Sequence, residues 1–494
     1  MDCLPSEMPL EILSISLLPL VLFLPYLVSL LLKLLQSDPL IRETIVILVS
    51  LVALIIVRLL PSTMPIIVII WFFLVMIITI QGKRHNFCLK GFYLFTIMFF
   101  IVEIGLIMRW VALLTKIGGI LDPDAEHFYQ LALHTTSFFT ALSPEPPFAR
   151  EPFLVWVTKI WFWFLPASRM SLRVLTVFFS LATIVAMFYF SRRVYRVLVN
   201  HGIADILATA TALLMSVNPQ FIFMSNRGLR FEIYLLLMLL FFISTFKPVT
   251  TFRSGVLIPG IIAGLLCLTR INTPAWLIPV VVVLAVKYSW DWWKPLAIIG
   301  IMIVLLLPHI FANYRYAPEH DPFFTANIHA RFYRNLEFQN KPGFPSSADI
   351  RDNAWTGGPI TFSGYLFALH SWKQLMMGSL AGLKRLFLTT HPHLSLFNST
   401  LFVLGYLSGL LYLVYRRQWH LPVIMFLLVA PLVYLAGIGI DWRLVGIISP
   451  FLILFVVANV IMLLDVSCRR IPSIPVSCSC PESSVSFSAA NERE

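Results

Sequence analysis

Apolar runs recur from residue 9 to residue 464 of this 494-residue chain, separated by short polar or basic turns. A bilayer lets only helices or closed barrels cross it, because every backbone N–H and C=O must find its partner within the protein. The runs here are long enough for helices and lack the alternation of barrel strands. With 59% hydrophobic residues, 12% charged residues and a mean hydropathy of +0.86, no soluble domain could bury the apolar surface. The expected fold is an all-α polytopic membrane protein. The first run, Leu10 to Leu35, follows Asp2, Glu7 and Glu11 and has no basic flank ahead of it, so it is expected to remain as a span.

In such a chain the net charge of +12 first reports topology. Apolar segments fall near 10–32, 43–60, 64–80 and 92–114, then 171–190, 204–217, 233–246, 255–269, 275–286 and 295–311, and finally 401–415, 421–438 and 445–464. Basic turns alternate between them: Lys33 and Arg42; Lys83, Arg84 and Lys90; Arg192, Arg193 and Arg196; Lys247 and Arg253; Lys287 and Lys294; Arg416 and Arg417; Arg469 and Arg470. Placing these turns in the cytoplasm predicts about 13 spans. Residues 150–166 carry Trp156, Trp161 and Trp163 and are short for a span, so they predict a helix lying at the interface. Residues 361–390 predict a second interfacial helix pair.

The chain then divides into extra N-terminal spans (1–91), a transmembrane core (92–311), an extracytoplasmic loop (312–397), C-terminal spans (398–466) and a disordered cytoplasmic tail (467–494). No soluble basic domain exists to hold nucleic acid. The six cysteines show neither zinc spacing nor a disulfide framework.

Asp and Glu total only 24, yet Asp122, Asp124 and Glu126 fall together in GGILDPDAEHFYQLA, beside the end of the 92–114 segment. Asp124 is expected to open a helix as its N-cap, with Phe128 and Leu131 on one face. On the same outer side lie Arg150 and Glu151 in REPFLVW; Arg227, Arg230 and Glu232 in NRGLRFE; Arg270 in LTRINTP; and Asp441 and Arg443 in IDWRL. Any one arginine can be a snorkelling anchor. Several helix ends that each couple Arg with a carboxylate or amide point instead to a shared wet cavity. Arginines there suit a phosphate, and carboxylates suit a general base or a divalent cation. The long loop adds His329, Arg331, Tyr333 and Arg334, and later His391 and His393.

In order and shared face, LDPDAEHFYQLA, REPFLVW, SNRGLRFEIYLLLMLLF, LTRINTP and WRLVGIISPFLIL resemble the GT-C superfamily. These are polytopic glycosyltransferases that use polyprenyl-phosphate sugars, here in the branch of protein O-mannosyltransferases and lipid A aminoarabinose transferases. The resemblance covers most of residues 92–464. It implies a site on the extracytoplasmic face, a polyprenyl-phosphate sugar donor, a hydroxyl acceptor on a protein, lipid or glycan, and inversion at the anomeric carbon. Carried over, Asp124 matches the first-loop catalytic aspartate, with Asp122 and Glu126 as neighbouring candidates. Glu151 matches an acidic position that touches a metal in some members, with Asp122 as a second possible ligand. Arg227, Arg230, Arg270 and Arg443, or Arg331 and Arg334 from the loop, would hold the donor phosphate. Phe231 stands where a second acidic residue often follows the turn. The membrane implied is the bacterial inner (plasma) membrane or, alternatively, the endoplasmic reticulum. Two rivals share parts of this pattern. A lipid-linked polysaccharide polymerase or ligase would rely on the late loop, and a transporter or flippase would want its polar residues nearer mid-membrane.

Overall fold

The computed structural model describes residues 89–114, 121–135 apart from 122, 151–246, 252–316, 360–388 apart from 362, 400–436 and 442–470, with isolated positions between 330 and 346. The described residues are helical almost throughout and contain no strand. The N-terminal spans expected before residue 89 and most of the tail lie outside them.

Fourteen helices are described: α1 (Leu89–Leu114), α2 (Pro123–His134), α3 (Phe153–Phe164), α4 (Arg169–Tyr195), α5 (His201–Val217), α6 (Pro219–Ser225), α7 (Phe231–Thr245), α8 (Ile258–Thr269), α9 (Pro274–Lys287), α10 (Trp293–Tyr316), α11 (Trp372–Leu388), α12 (Thr400–Tyr415), α13 (His420–Ala436) and α14 (Trp442–Arg470). Each apolar segment read from the sequence beyond residue 91 contains one of these helices, within a few residues at either end. α14 runs through Arg470, so the first residues assigned to the tail are helical.

By length and composition, α4 and residues 293–312 of α10 can cross a membrane, and α5 with α6 can do so as one bent span, broken by 57°. The break follows from Asn218-Pro219. Asn218 accepts from the Gln220 N–H at 2.9 Å, and Pro219 takes the first helical position, where a missing N–H costs nothing. Ser168 and Asn200 start α4 and α5 in the same way, accepting from Ser171 N and Ile203 N at 3.0 Å each. A π-helical turn, Arg253–Leu257, leads into α8 just ahead of Pro259, whose absent N–H leaves the ordinary ladder incomplete. α3 has 12 residues, about 18 Å, and cannot span a hydrocarbon core of about 30 Å. Trp163 and Phe164 on it are exposed. In place of an interfacial pair at 361–390 there is a single π-helical turn, Gly364–Ala368, then α11, which packs on α13.

In a bilayer the lipid is as apolar as leucine, so close packing, more than burial, holds the helices together. Gly409 on α12 shows how close. A Cβ there would stand 1.8 Å from the backbone oxygen of Phe455 on α14. Gly260 and Gly264, four apart on α8, let Ile301 and Leu305 of α10 seat directly on its backbone. At the centre Phe242 of α7 packs on Phe190, Phe246 and Phe451, with ring centroids 5.7, 5.6 and 5.3 Å away. The buried Tyr195 hydroxyl ties α4 to α5 and α14, lying 3.1 Å from both Thr211 Oγ1 and the Leu454 carbonyl.

Candidate functional site

The inner face of α2 repeats at helical spacing: Ala125, Phe128 and Ala132 are all buried, and Leu121 continues the row one turn ahead. It lies against Leu172 of α4 and the turn between α6 and α7. That turn depends on Gly228, at φ +71°, with room for no side chain: a Cβ would sit 3.3 Å from Ala125 Cβ and from Leu172. Thr176 of α4 donates to the Ser225 carbonyl at 2.6 Å, and Asn226 Nδ2 donates to the Ile222 carbonyl at 2.8 Å. These bonds fix the NRGLR turn to α4, and Gly228 lays it against Ala125 of the helix that carries Asp124 and Glu126.

Glu151, 2% exposed at the start of α3, is reached by donors from two other elements. The guanidinium of Arg230, which precedes α7, donates to Oε2, and the Ile271 N–H, just after α8, donates to Oε1 at 3.3 Å. Arg230 also lies 3.4 Å from the Thr269 carbonyl and 5.7 Å above the Phe128 ring. One ion pair thus joins the ends of α3, α7 and α8 over a ring from α2. The half-buried Arg270 stacks over Tyr234 at 5.1 Å. The Tyr234 hydroxyl is held by Trp276 Nε1 at 2.9 Å and lies 3.2 Å from Thr273 Oγ1. His309, buried on α10, feels the Glu151 charge.

The residues named from the sequence sort as follows. Glu151, Arg230 and Arg270 come together, and Arg227 shares their turn with its guanidinium over Phe223 at 5.1 Å. α2 begins two residues earlier than expected, at Pro123, so Asp124 lies within the first turn, half-buried, and is not its N-cap. Glu126 faces the rim. Arg169 grips its carboxylate through two nitrogens at 2.7 and 2.8 Å, and Gln130 adds a bond at 2.9 Å. The Arg169 hydrogen bond holds the Glu126 carboxyl below its ordinary value. Arg334 is half-buried in the long loop. Asp122, Arg331 and Asp441, the side chain of Arg443, and the loop histidines His329, His391 and His393 lie outside the described residues. For the metal expectation, Glu151 accepts a protein donor at each oxygen, and Asp122, the second ligand expected, lies outside the described residues. Among the described residues no three acidic, His or Cys side chains gather.

Glu232 departs furthest from expectation. It does not line the outer turn but is wholly buried, within reach of the charge of Arg109. Arg109, also wholly buried on α1, donates through Nε to Ser180 Oγ at 2.8 Å and through Nη1 to the carbonyls of Gly105 and Ser216 at 3.1 and 3.0 Å. The 92–114 run is apolar apart from Glu103 and Arg109. A charge inside a membrane segment was the available signal for Arg109. A second cluster that sequence reading missed lies in the long loop, where Glu337 accepts from the Tyr365 hydroxyl at 2.8 Å and lies 2.7 Å from His370 Nε2. No protein-family model matches the chain, and no curated protein matches it.

Proposed function

We propose that this protein is an integral membrane glycosyltransferase of GT-C type, with about 13 spans. It transfers a sugar from a polyprenyl-phosphate donor to a hydroxyl of a protein, lipid or glycan on the outer face of a bacterial plasma membrane or, alternatively, in the endoplasmic reticulum. The observation that carries this reading is the seating of the NRGLR turn on α2. It puts the Glu151–Arg230 pair and Arg270 on the same framework as the acidic first-loop helix.

The chemistry follows from the residue types. The acceptor oxygen attacks the anomeric carbon as the bond from that carbon to the phosphate oxygen breaks. The lipid phosphate leaves with the electron pair, and Asp124 takes the hydroxyl proton. Asp124 takes this role as the residue that matches the first-loop aspartate, while Glu126 is bound by Arg169 at the rim. Arg227 and Arg270 are the guanidinium groups suited to the charge that grows on the phosphate. Glu151 keeps Arg230 in register as a positioning pair.

The test is single-turnover transfer by Asp124→Asn, which should fall by about 10²-fold or more with donor lipid still bound, while Glu126→Gln keeps most activity. The Glu337–His370–Tyr365 cluster favours one alternative, a lipid-linked polysaccharide ligase that works from its long loop. Wild-type turnover in Asp124→Asn together with loss in His370→Ala would select that alternative.

A further inference from the structure

The opposite end of the bundle holds a cavity of about 240 Å³ between α4, α7, α9 and α13. Its polar lining is Arg193, Tyr288, Gln418 and His420, its apolar lining includes Phe246 and Leu421, and no carboxylate lines it. His420 is 2% exposed and clamped by the rings of Phe246 and Tyr288 at 5.5 and 6.1 Å, yet its Nδ1 has no hydrogen-bond partner among the described residues. Arg193 uses Nη1 on the Ile243 carbonyl, near the end of α7, and no described residue accepts from its other nitrogens.

More positive charge surrounds the mouth. Lys287 Nζ donates to the Arg417 carbonyl at 3.2 Å and lies near enough for its charge to act on His420. Arg416 donates to the Leu198 carbonyl at 2.9 Å, next to the cavity wall. The acidic residue on α5, Asp205, is already taken by Arg192 at 2.6 Å and Arg196 at 3.5 Å. Beside these cations the wall turns apolar and faces outward: Val197 is 64% exposed and Val286 66%.

We propose that this cavity binds the phosphate headgroup of an anionic phospholipid from the cytoplasmic leaflet. The cavity is smaller than the roughly 300–1,000 Å³ of a site that encloses a drug-sized molecule, so it takes a headgroup and not a whole ligand. Arg193 supplies the charge and the planar donors, Gln418, Tyr288 and His420 supply neutral partners, and the acyl chains run out over Val197 and Val286. A soluble phosphate would use the same donors and would gain nothing from that apolar wall. This site is independent of the outer one and of the reaction proposed for it.

The experiment is thermal unfolding of the full-length protein in detergent, titrated with short-chain phosphatidylglycerol, short-chain phosphatidylcholine or inorganic phosphate. A saturable rise in Tm with phosphatidylglycerol alone is the expected result. Gln418→Leu and Lys287→Gln should each weaken the apparent affinity, and Arg193→Gln should weaken it by about tenfold. Arg193 also caps α7, so if Arg193→Gln does not fold, the other two variants carry the test. Equal shifts from the two lipids, or wild-type affinity in the folded variants, would overturn the site. Phosphate matching phosphatidylglycerol at equal concentration would overturn the lipid assignment and leave a soluble-anion site.

Discussion

The two ends of the helix bundle solve the same problem differently. At the outer end Glu151 and Arg230 form a pair with 2% and 14% of their side chains exposed, roofed by helix ends from three elements. At the inner end Asp205 meets Arg192 and Arg196 with 24% of the Asp205 and Arg192 side chains exposed. Chemically the pairs are alike, but water still reaches the inner one. A solvated pair gives back in lost side-chain freedom most of what it gains, whereas a buried pair is held because neither charge can be left alone. The pair that water reaches adds little. The outer one fixes geometry.

The largest effect should come from breaking the outer pair on one side. Arg230→Met leaves Glu151 buried and unpaired and should destabilise by about 3–5 kcal/mol in equilibrium unfolding. Adding Glu151→Gln should recover much of that loss. If the double variant is no better than the single one, the pair is not what joins these helix ends. At the inner end Asp205→Asn should cost no more than about 1 kcal/mol, and less in high salt. A loss as large as that of Arg230→Met would erase the contrast. The smallest effect belongs to the exposed Glu126–Arg169 pair at the rim. The Glu126 pKa in the folded state is lowered from its ordinary 4.5, so the stability it contributes is present above that value and is lost as pH falls through the lower folded value. The Tm difference between wild type and Glu126→Gln should therefore be seen at neutral pH and close in acid.

How much of this was legible depended on which physical signal a residue leaves in sequence. Hydropathy marks a helix because many apolar residues act together, so the ten long apolar segments beyond residue 91 each show in the sequence, whereas the seven-residue α6 leaves no such signal. Arg227, Arg230 and Glu151 were found because charges at apolar borders are conspicuous. Glu232 looks the same in the sequence, yet as the second residue of α7 it falls on the buried side, toward Arg109. Depth is a tertiary property, and no local pattern encodes it. Arg109 lies within an apolar segment, and an arginine there is the strongest single flag a membrane sequence offers. The Gly260–Gly264 spacing is likewise a sequence signal of close helix packing. The Glu337–His370 contact joins residues far apart in a polar loop, where neither hydropathy nor spacing gives warning.

The kink between α5 and α6 carries one more implication, for assembly. Breaking a helix inside a bilayer strips the last carbonyls before the break of their usual donors, and one of them, that of Ser216, is taken by Arg109. The donor belongs to α1 and the acceptor to a helix made more than a hundred residues later. Segments of a membrane protein emerge from the ribosome in chain order, so the cap is already in place when the helix that needs it arrives. The break itself is written in Asn218-Pro219, so the nascent α5–α6 segment brings it to the bundle, and docking beside α1 supplies the donor that the exposed Ser216 carbonyl lacks.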